Sequence, residues 1–264
     1  MKFFLYTLLV FGLSIQLYAQ GEKHKDIKFG IVTGSGVCFV LPETTYFTSD
    51  GVGNDLTVGA NLNFGINPSL AFCTGVEFDF NTLKFRPGST DHVYYRYNDK
   101  TILQLNDLID FVGNSTKFDI ISRTQKPVYL SIPMMLMGRT NYFGSLRYFG
   151  KFGLRNSILL KSTTTDEGFN NLSTSLTPIE NMKSSRDLFL FKSSVGIAGG
   201  TEWNFAGNTS LMFELGYYYG LTPLFWSVKN DDYKSLFVQT VTGERYITNQ
   251  AKHNQLMLKV ALIF

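Results

Sequence analysis

The sequence is poor in charge. Lys, Arg, Asp and Glu make up 17% of its 264 residues, against the roughly 25% that is usual in soluble globular domains. The 24 basic and 21 acidic residues nearly cancel, which leaves a net charge of +3. This balance provides no strong electrostatic surface for nucleic acid, so we expect no nucleic-acid partner. The low charge also indicates that something other than water covers part of the protein.

Histidine and cysteine are scarce, with three and two copies. Nucleophilic catalysis needs a base and an orienting group beside the nucleophile, and no such combination has a recognisable spacing here. The sequence also lacks a histidine pair at metal-ligand spacing and a C-x-x-C motif. We therefore expect no catalytic residue, no metal site and no cofactor.

Long apolar runs are missing after residue 20. No later stretch approaches 18 consecutive apolar residues, which excludes a protein that crosses a membrane with helices. Before that point, Lys2 is followed by an apolar run and then by Ala19, the layout of a secretory signal peptide. The run is too short for a membrane-anchoring helix. We predict a signal peptide at 1–19 and a single exported domain at 20–264.

Apolar residues are nevertheless abundant, at 44% of the chain, and they alternate with polar ones. Residues 56–66 place Leu, Val, Ala, Phe or Ile at every second position, with Thr, Gly or Asn between them. Residues 70–81 repeat the pattern after only three residues. A period of two indicates strands with two different faces, and the short connection indicates a hairpin.

Eight such runs follow one another along the chain, and their connections alternate between long and short. The runs lie at about 27–40, 56–66, 70–85, 127–138, 146–160, 188–205, 210–221 and 253–264. The intervening connections have 15, 3, 41, 7, 27, 4 and 31 residues. One end of the sheet therefore carries tight turns and the other carries long loops, as in outer-membrane barrels. Each run also reaches the roughly 9 to 11 residues that a tilted strand needs to cross the hydrocarbon layer.

These features predict an all-β fold, an eight-stranded antiparallel up-and-down transmembrane β-barrel with short periplasmic turns and long extracellular loops. We place it in the outer membrane of a Gram-negative bacterium, with lipid against its apolar face and both termini in the periplasm. Eight strands enclose only enough space for side chains. We therefore expect a packed lumen charge network and no open pore. Its predicted members are Glu77, Asp79, Arg147, Lys151, Arg155, Lys192, Glu202, Glu214 and Lys259.

Three details of the barrel can be predicted as well. Pro133 has no N–H for the hydrogen-bond ladder, so we expect a bulge or a missing bond in the fourth strand. Cys38 and Cys73 fall at different heights on strands that are not neighbours, so we expect two free thiols. Aromatic residues at strand ends fit interfacial girdles. They are Phe64, Trp203, Phe205, Tyr217, Tyr219 and Phe264.

The carboxyl terminus carries a more specific pattern. One face of the last strand consists of Leu256, Leu258, Val260, Leu262 and the terminal Phe264. This pattern resembles the C-terminal insertion signal of Gram-negative outer-membrane barrels, whose last residue is typically Phe. The resemblance implies that the barrel-assembly machinery is a partner.

Together with the Ala19-Gln20 ending of the signal segment, three short motifs resemble the PorT-like outer-membrane β-barrel proteins of the Bacteroidetes. They are the Gly-spaced first strand from Phe29 to Gly36, the segment Val128–Met134 and Phe152-Gly153-Leu154. The family includes a component of the type IX secretion system that is linked to gliding and protease export. The resemblance implies a non-enzymatic structural or assembly barrel whose loops bind envelope or secretion proteins.

Two other functions remain open at this stage. One is a surface adhesion or ligand-binding barrel, in which Tyr94–Tyr97 and Leu224–Trp226 form an aromatic patch. The other is a lipid-modifying outer-membrane enzyme that uses His92 or His253. Within the long loops, helical spacing of apolar residues predicts a short amphipathic helix at 100–113, and the Ser-, Thr- and Asn-rich stretch 161–186 predicts a solvated loop.

Overall fold

In the computed structural model, the described residues are 27–43, 47–87, 92–96, 116–170, 176–183, 188–225, 238–239, 245–246 and 250–264. The predicted signal peptide and the predicted helix at 100–113 lie outside these ranges. Among the residues described, no helix is long and apolar enough to cross a membrane.

The described part of the chain forms fourteen strands. Eight of them build a barrel: β1 (Ile27–Pro42), β3 (Gly53–Asn67), β4 (Leu70–Asn81), β7 (Thr116–Arg139), β8 (Leu146–Asn170), β10 (Phe191–Ala206), β11 (Thr209–Gly220) and β14 (Ala251–Ile263). The other six are shorter: β2 (Phe47–Ser49), β5 (Leu83–Pro87), β6 (His92–Arg96), β9 (Leu176–Lys183), β12 (Val238–Gln239) and β13 (Arg245–Tyr246).

The eight long strands form a closed antiparallel ring in chain order. The ring closes where β1 pairs with β14, from Gly30 opposite Ile263 to Pro42 opposite Ala251. Closure leaves the ring without a free edge, which removes the main hazard of an exposed β-sheet. The predicted eight-stranded up-and-down barrel is confirmed.

Side chains alternate between the two faces as the sequence predicts. On β4, Ala71, Cys73, Glu77 and Asp79 are buried inside, while the residues between them point outward. The outward face of the barrel is apolar all round and exposes Ile31, Val58, Phe78, Ile132, Phe152, Ile197, Leu215 and Leu258. An apolar exterior around a polar interior is the reverse of a soluble barrel.

The two ends of the barrel differ, and we call them the turn end and the loop end. At the turn end, short connections follow β3, β7 and β10. Gly144 and Gly207 lie in the last two of these turns with φ of 65° and 54°, a left-handed backbone that glycine adopts at no steric cost. At the loop end, β7 and β8 continue beyond the other strands.

The extended parts of β7 and β8 correct the sequence prediction. We expected a solvated loop from residue 161, but β8 continues to Asn170 and pairs with β9. Likewise, the predicted loop 86–126 contains β6 and the first residues of β7. β5 and β6 pair with this part of β7, so a small sheet stands on the loop end of the barrel. We call the sheet formed by β5, the start of β7, the end of β8 and β9 the outer sheet.

A bulge in β8 explains why the sequence pattern does not predict the extension of this strand. The register with β7 shifts between Val128 and Tyr129, which lie opposite Lys161 and Leu159. Leu160 and Lys161 are therefore both exposed. The inward residues are odd-numbered before this point and even-numbered after it, so the period of two is broken.

Pro133 produces the predicted irregularity. Between β4 and β7 the register runs to Thr74 opposite Met134 and resumes at Glu77 opposite Ser131. The ladder is thus interrupted next to Pro133, which has no N–H to donate. On its other side, Pro133 stays in register with Arg155 of β8.

Both cysteines are buried and free, as predicted. Cys38 packs in an apolar cluster at the loop end, whereas Cys73 belongs to a second cluster inside the barrel.

Candidate functional site

All nine residues of the predicted lumen charge network face the barrel interior, and their side chains are no more than 9% exposed. Including Asp55, the lumen holds five carboxylates, namely Asp55, Glu77, Asp79, Glu202 and Glu214. It also holds five basic side chains, namely Arg147, Lys151, Arg155, Lys192 and Lys259. These ten described side chains thus carry equal numbers of positive and negative charges, and buried charges need such partners.

Arg155 is at the centre of this network and is fully buried. Its Nη2 lies 2.5 Å from Glu77 Oε2 and 2.6 Å from Asp79 Oδ1. Lys259 Nζ reaches the same Glu77 carboxylate at 2.8 and 2.9 Å. The ring of Tyr218 lies 5.3 Å from the Arg155 guanidinium and 5.4 Å from Lys259 Nζ. Four strands, β4, β8, β11 and β14, thus meet at one cluster.

Hydroxyl groups donate further hydrogen bonds to Asp79. Thr57 Oγ1 donates to its Oδ1 at 2.6 Å, and Ser131 Oγ donates to its Oδ2. Ser157 Oγ lies 2.6 Å from Ser131 Oγ. These neutral donors stabilise a carboxylate that has no solvent to hydrate it.

A second cluster lies at the turn end. Arg147 binds Glu202 through two N–H groups, with Nε at 2.8 Å and Nη2 at 2.7 Å, the bidentate geometry that favours arginine. Tyr142 donates its hydroxyl to Glu202 Oε1 at 3.1 Å, and its ring lies 4.6 Å from the guanidinium. Partial burial and the negative charge of Glu202 raise the pKa of the Tyr142 phenol above its usual value.

Lys151 lies between Arg147 and Arg155 on β8 and pairs with Glu214. Lys151 Nζ lies 2.5 Å from Glu214 Oε2. Tyr218, whose ring contacts the Arg155 guanidinium, also donates its hydroxyl to Glu214 Oε1 at 3.4 Å. Ion pairs therefore follow one another from the turn end to the middle of the barrel.

Lys192 belongs to the predicted lumen charge network, and its amine contacts a histidine and an amide. Its Nζ lies 3.2 Å from His253 Nδ1 and 3.3 Å from Gln255 Oε1, and 4.5 Å from the ring of Tyr129. Gln255 in turn donates to Asp55. Within the described ranges, a neutral amide therefore stands between the amine and the acid.

Several residues of the lumen are absent from the sequence prediction. Asp55 falls one residue before the second predicted strand, which begins at residue 56, and so belongs to a predicted loop. Gln255, Thr57 and Ser131 are uncharged, although their parity places them on the inward face. His253 appeared only as a candidate catalytic residue, and the structure buries it beside Lys192.

Apolar side chains close the loop end of the barrel. This apolar cap includes Leu83, Phe85, Tyr129, Leu159 and Phe225, and the rings of Phe85 and Phe225 lie 5.5 Å apart. Leu224 and Phe225 are therefore buried, which is contrary to an exposed aromatic patch at 224–226. Trp226 lies outside the described residues.

Above the apolar cap, a buried ion pair holds the outer sheet together. Arg123 of β7 binds Asp166 of β8 through Nε at 2.7 Å and Nη2 at 2.6 Å. Both side chains are at most 1% exposed. The extended strands thus have an interior of their own.

The described residues of the lumen enclose a small cavity. A cavity of about 30 Å³ lies between Cys73, Glu77, Glu214, Tyr218 and Lys259. This volume accommodates about one or two water molecules.

Comparison with protein families identifies the architecture. Residues 18–226 match the family described as outer membrane protein beta-barrel domain. The chain belongs to this family. The turn end is therefore periplasmic and the loop end extracellular, and the barrel lies in the outer membrane of a Gram-negative bacterium. No curated protein matches the chain.

Solved outer-membrane barrels are similar to this chain at low identity. Neisserial surface protein A has 10% identity and a TM-score of 0.34, with 88% of this chain and 95% of that one covered. The attachment invasion locus protein of Yersinia pestis, solved with the heparin analogue sucrose octasulfate, has 11% identity and a TM-score of 0.33, covering 90% and 99%. A major outer membrane protein from Thermus thermophilus has 14% identity and a TM-score of 0.38, covering 90% and 99%.

In this outer-membrane barrel, the predicted insertion signal forms the lipid-facing side of β14. Leu256, Leu258, Leu262 and Phe264 are exposed, and Val260 is half-buried. Phe264 also contributes to closure of the barrel, because its N–H and C=O both bond to the backbone of Phe29. The two rings lie 5.4 Å apart.

Aromatic side chains border the lipid-facing surface at both ends. At the periplasmic end, Trp203 and Phe205 are exposed with ring centroids 5.8 Å apart. At the extracellular end, Tyr217 and Tyr219 accept hydrogen bonds from Asn254 and Lys252. Aromatic residues that combine an apolar ring with a polar group in contact with water are typical of membrane interfaces. Phe64, the remaining predicted girdle residue, is half-buried on β3.

The histidines of this outer-membrane barrel provide no assembled catalytic group in the part of the chain that is described. His253 is 2% exposed and faces the lumen. His92 begins β6, and the orientation of its side chain lies outside the description. Among the described residues, no cluster of three His, Cys, Asp or Glu side chains has a metal-binding arrangement.

Proposed function

We propose that this protein is a non-enzymatic outer-membrane barrel of the PorT-like kind that binds a protein partner through its extracellular strands. In this proposal the barrel is an anchor, and an envelope or secretion protein docks on the outer sheet. Association with type IX secretion is a narrower form of the same proposal.

The packed lumen is the observation that carries the proposal. Ion pairs from Arg147–Glu202 to Arg155–Asp79 occupy the interior, and the apolar cap lies above them. A barrel filled in this way provides no route for solutes. Its activity is therefore expected on the surface that it exposes outside the membrane.

The outer sheet supports a docking role because it is ordered by internal contacts. The Arg123–Asp166 pair and the buried Ile179 and Met182 of β9 give it an interior. A rigid surface loses less conformational entropy on binding than a mobile loop does. Loops carried by rigid scaffolds are a common place for binding sites.

The test removes the part of the outer sheet that β9 and the end of β8 form, and leaves the barrel. Residues 162–187 are replaced by a short Gly-Ser connection between β8 and β10, and partners of the parent and the variant are captured by cross-linking in whole cells. We expect loss of the partner, and of cargo secretion if the narrower proposal holds, while the barrel still shifts on gels after boiling. A deletion of the whole gene that leaves cargo secretion unchanged contradicts the type IX role.

A second candidate uses the same outer sheet as a surface for adhesion or for a ligand. Loss of adhesion, without loss of a captured protein, after trimming residues 86–126 favours this candidate. A lipid-modifying activity that disappears when His92 or His253 is replaced would favour an enzyme, but the burial of His253 beside Lys192 opposes that role.

A further inference from the structure

Four basic side chains lie together on the outward face of the outer sheet. Lys84 and Arg86 belong to β5, Lys126 to β7 and Lys161 to β8, and all four are exposed. We call them the basic cluster. Their neighbours on the inward side, such as Phe85 and Ser162, are buried, so the four share one face.

The register of the strands places the cluster in one continuous path. Lys84 is opposite Thr124 on β7, two residues from Lys126. Lys161 is opposite Val128, two residues from Lys126 on the other side. With about 4.8 Å between strands and about 6.6 Å for two residues along a strand, successive Cα atoms are about 8 Å apart. Neighbouring members can thus reach one shared anion.

The height of the cluster relative to the membrane is defined by the same strands. The lipid-facing side of β7 is apolar from Leu136 to Val128, and Lys126 is the next outward residue. On β8, Leu160 is the last apolar residue of this face before Lys161. On the β4 side, Phe80 is followed outward by Thr82 and then by Lys84. On these three neighbouring paths, the first charge above the hydrocarbon layer is positive.

These positive charges have no acidic partner within the described ranges. None of the four forms an ion pair there, although Asp50 and Glu167 lie on the same side of the protein, and Ser122 donates to Glu167 instead. The opposite side of the barrel differs. Lys252 of β14 lies 3.1 Å from Glu43 and also bonds to Tyr219, so its charge is neutralised locally.

We propose that the basic cluster binds the phosphate groups of the lipid that forms the outer leaflet of the outer membrane. The chemistry is complementary, because Lys and Arg bind phosphate through charge-assisted hydrogen bonds. Basic side chains at a membrane surface attract anionic headgroups, and long aliphatic stems let them reach the headgroup level. The bound lipid orients the outer sheet against the membrane, on the side away from Lys252.

The test measures lipid binding by the full-length mature chain in phosphatidylcholine nanodiscs. The probes are bisphosphorylated lipid A, monophosphorylated lipid A and lipid A from which both phosphates have been removed, each titrated and followed by native mass spectrometry. Three proteins are compared: the parent, a variant that combines Lys84→Gln, Arg86→Gln, Lys126→Gln and Lys161→Gln, and the control Lys252→Gln, which removes one neutralised charge at the same end of the barrel.

We expect the fourfold variant to bind bisphosphorylated lipid A at least tenfold more weakly than the parent, and the control to bind within twofold of it. Removal of both phosphates from the lipid is expected to abolish the difference between the proteins, and added salt to reduce it. Migration on unboiled gels verifies that each protein is folded. If the fourfold variant does not fold, the four single variants are measured, and each is expected to weaken binding about twofold or more.

Equal binding by parent and variant overturns the proposal, as does equal binding of lipid A with and without phosphate. A control that loses as much affinity as the fourfold variant also overturns it, because the loss is then not specific to the basic cluster. If the cluster binds a soluble sulfated polysaccharide and lipid A does not displace it, the proposal is also overturned, because the cluster then has a different partner.

Discussion

Arg155 and Asp79 are joined across the interior of the barrel, with Nη2 of Arg155 2.6 Å from Oδ1 of Asp79. They lie on β8 and β4, which are separated in the ring by β7. The contact therefore links strands that share no backbone hydrogen bonds. It joins the two neighbours of β7, close to the point where the hydrogen-bond ladder is interrupted at Pro133.

Replacing this arginine is expected to weaken the barrel strongly. Arg155→Met leaves Glu77 and Asp79 buried with only part of their partners, and such a loss costs about 3 to 5 kcal/mol. The free energy of unfolding in detergent micelles, measured with urea, provides the check. Lys252→Met is the matched control, because it breaks a solvent-accessible pair with Glu43, whose loss is expected to change the stability little. Similar losses for the two variants would contradict a structural role of the lumen network.

Lys151 and Glu214 allow a test of how a buried pair acts. Either Lys151→Met or Glu214→Leu alone leaves one unpaired charge and is expected to destabilise the barrel by about 3 to 5 kcal/mol. The double variant removes both charges and is expected to recover most of that loss, because apolar replacements of a buried pair are often neutral. Unfolding free energies of the four proteins form a double-mutant cycle. Additive losses would show that the two side chains do not interact.

Much of this fold was predictable from the sequence because the barrel imposes a period of two on each spanning strand. Glu77 and Asp79 could be placed inside from parity alone, and so could Arg147, Lys151 and Arg155. Parity gives the face of the sheet but not the height or the angular position. For that reason the sequence could not reveal that Lys192 contacts His253 and Gln255 instead of a carboxylate.

The outer sheet could not be predicted by the same logic. Beyond Lys161 the chain leaves the lipid, so neither face of β8 has to be apolar. Asp166 is buried on the inward face of the sheet, where it pairs with Arg123, and the bulge at Leu160 reverses the alternation at the same place. A Ser- and Thr-rich sequence with an inverted parity resembles a loop until its partner strand is known.

The two cysteines provide a simple check on the packing. Cys38 and Cys73 are at most 5% exposed, so neither is expected to react with a maleimide in the folded protein. Both are expected to react within minutes after boiling in detergent, with no difference between reduced and unreduced samples. Mass spectrometry counts the added groups. Rapid labelling of Cys73 in the folded barrel would indicate an open lumen.

Replacing Phe264 allows an effect on insertion into the outer membrane to be distinguished from an effect on stability. Phe264→Ala is expected to reduce the amount of barrel in the outer membrane several-fold, while the purified variant unfolds within about 1 to 2 kcal/mol of the parent, since an exposed ring gives up little burial. Quantitative blotting of membrane fractions measures the first effect and urea unfolding the second. Phe205→Ala is the control at the same end of the barrel. Equal accumulation of both variants would contradict the assignment of an insertion signal to Phe264.

The closure of β1 on β14 is the central structural claim, and an engineered disulfide tests it most directly. Thr33 lies opposite Val260 in this pair. In a background in which Cys38 and Cys73 are replaced by alanine, Thr33→Cys with Val260→Cys is expected to form an intramolecular disulfide under mild oxidation in the membrane. Thr33→Cys with Leu258→Cys, displaced by two residues or about 8 Å, is expected not to form one. Failure of the first pair, or equal cross-linking of both, would contradict a closed barrel with this register.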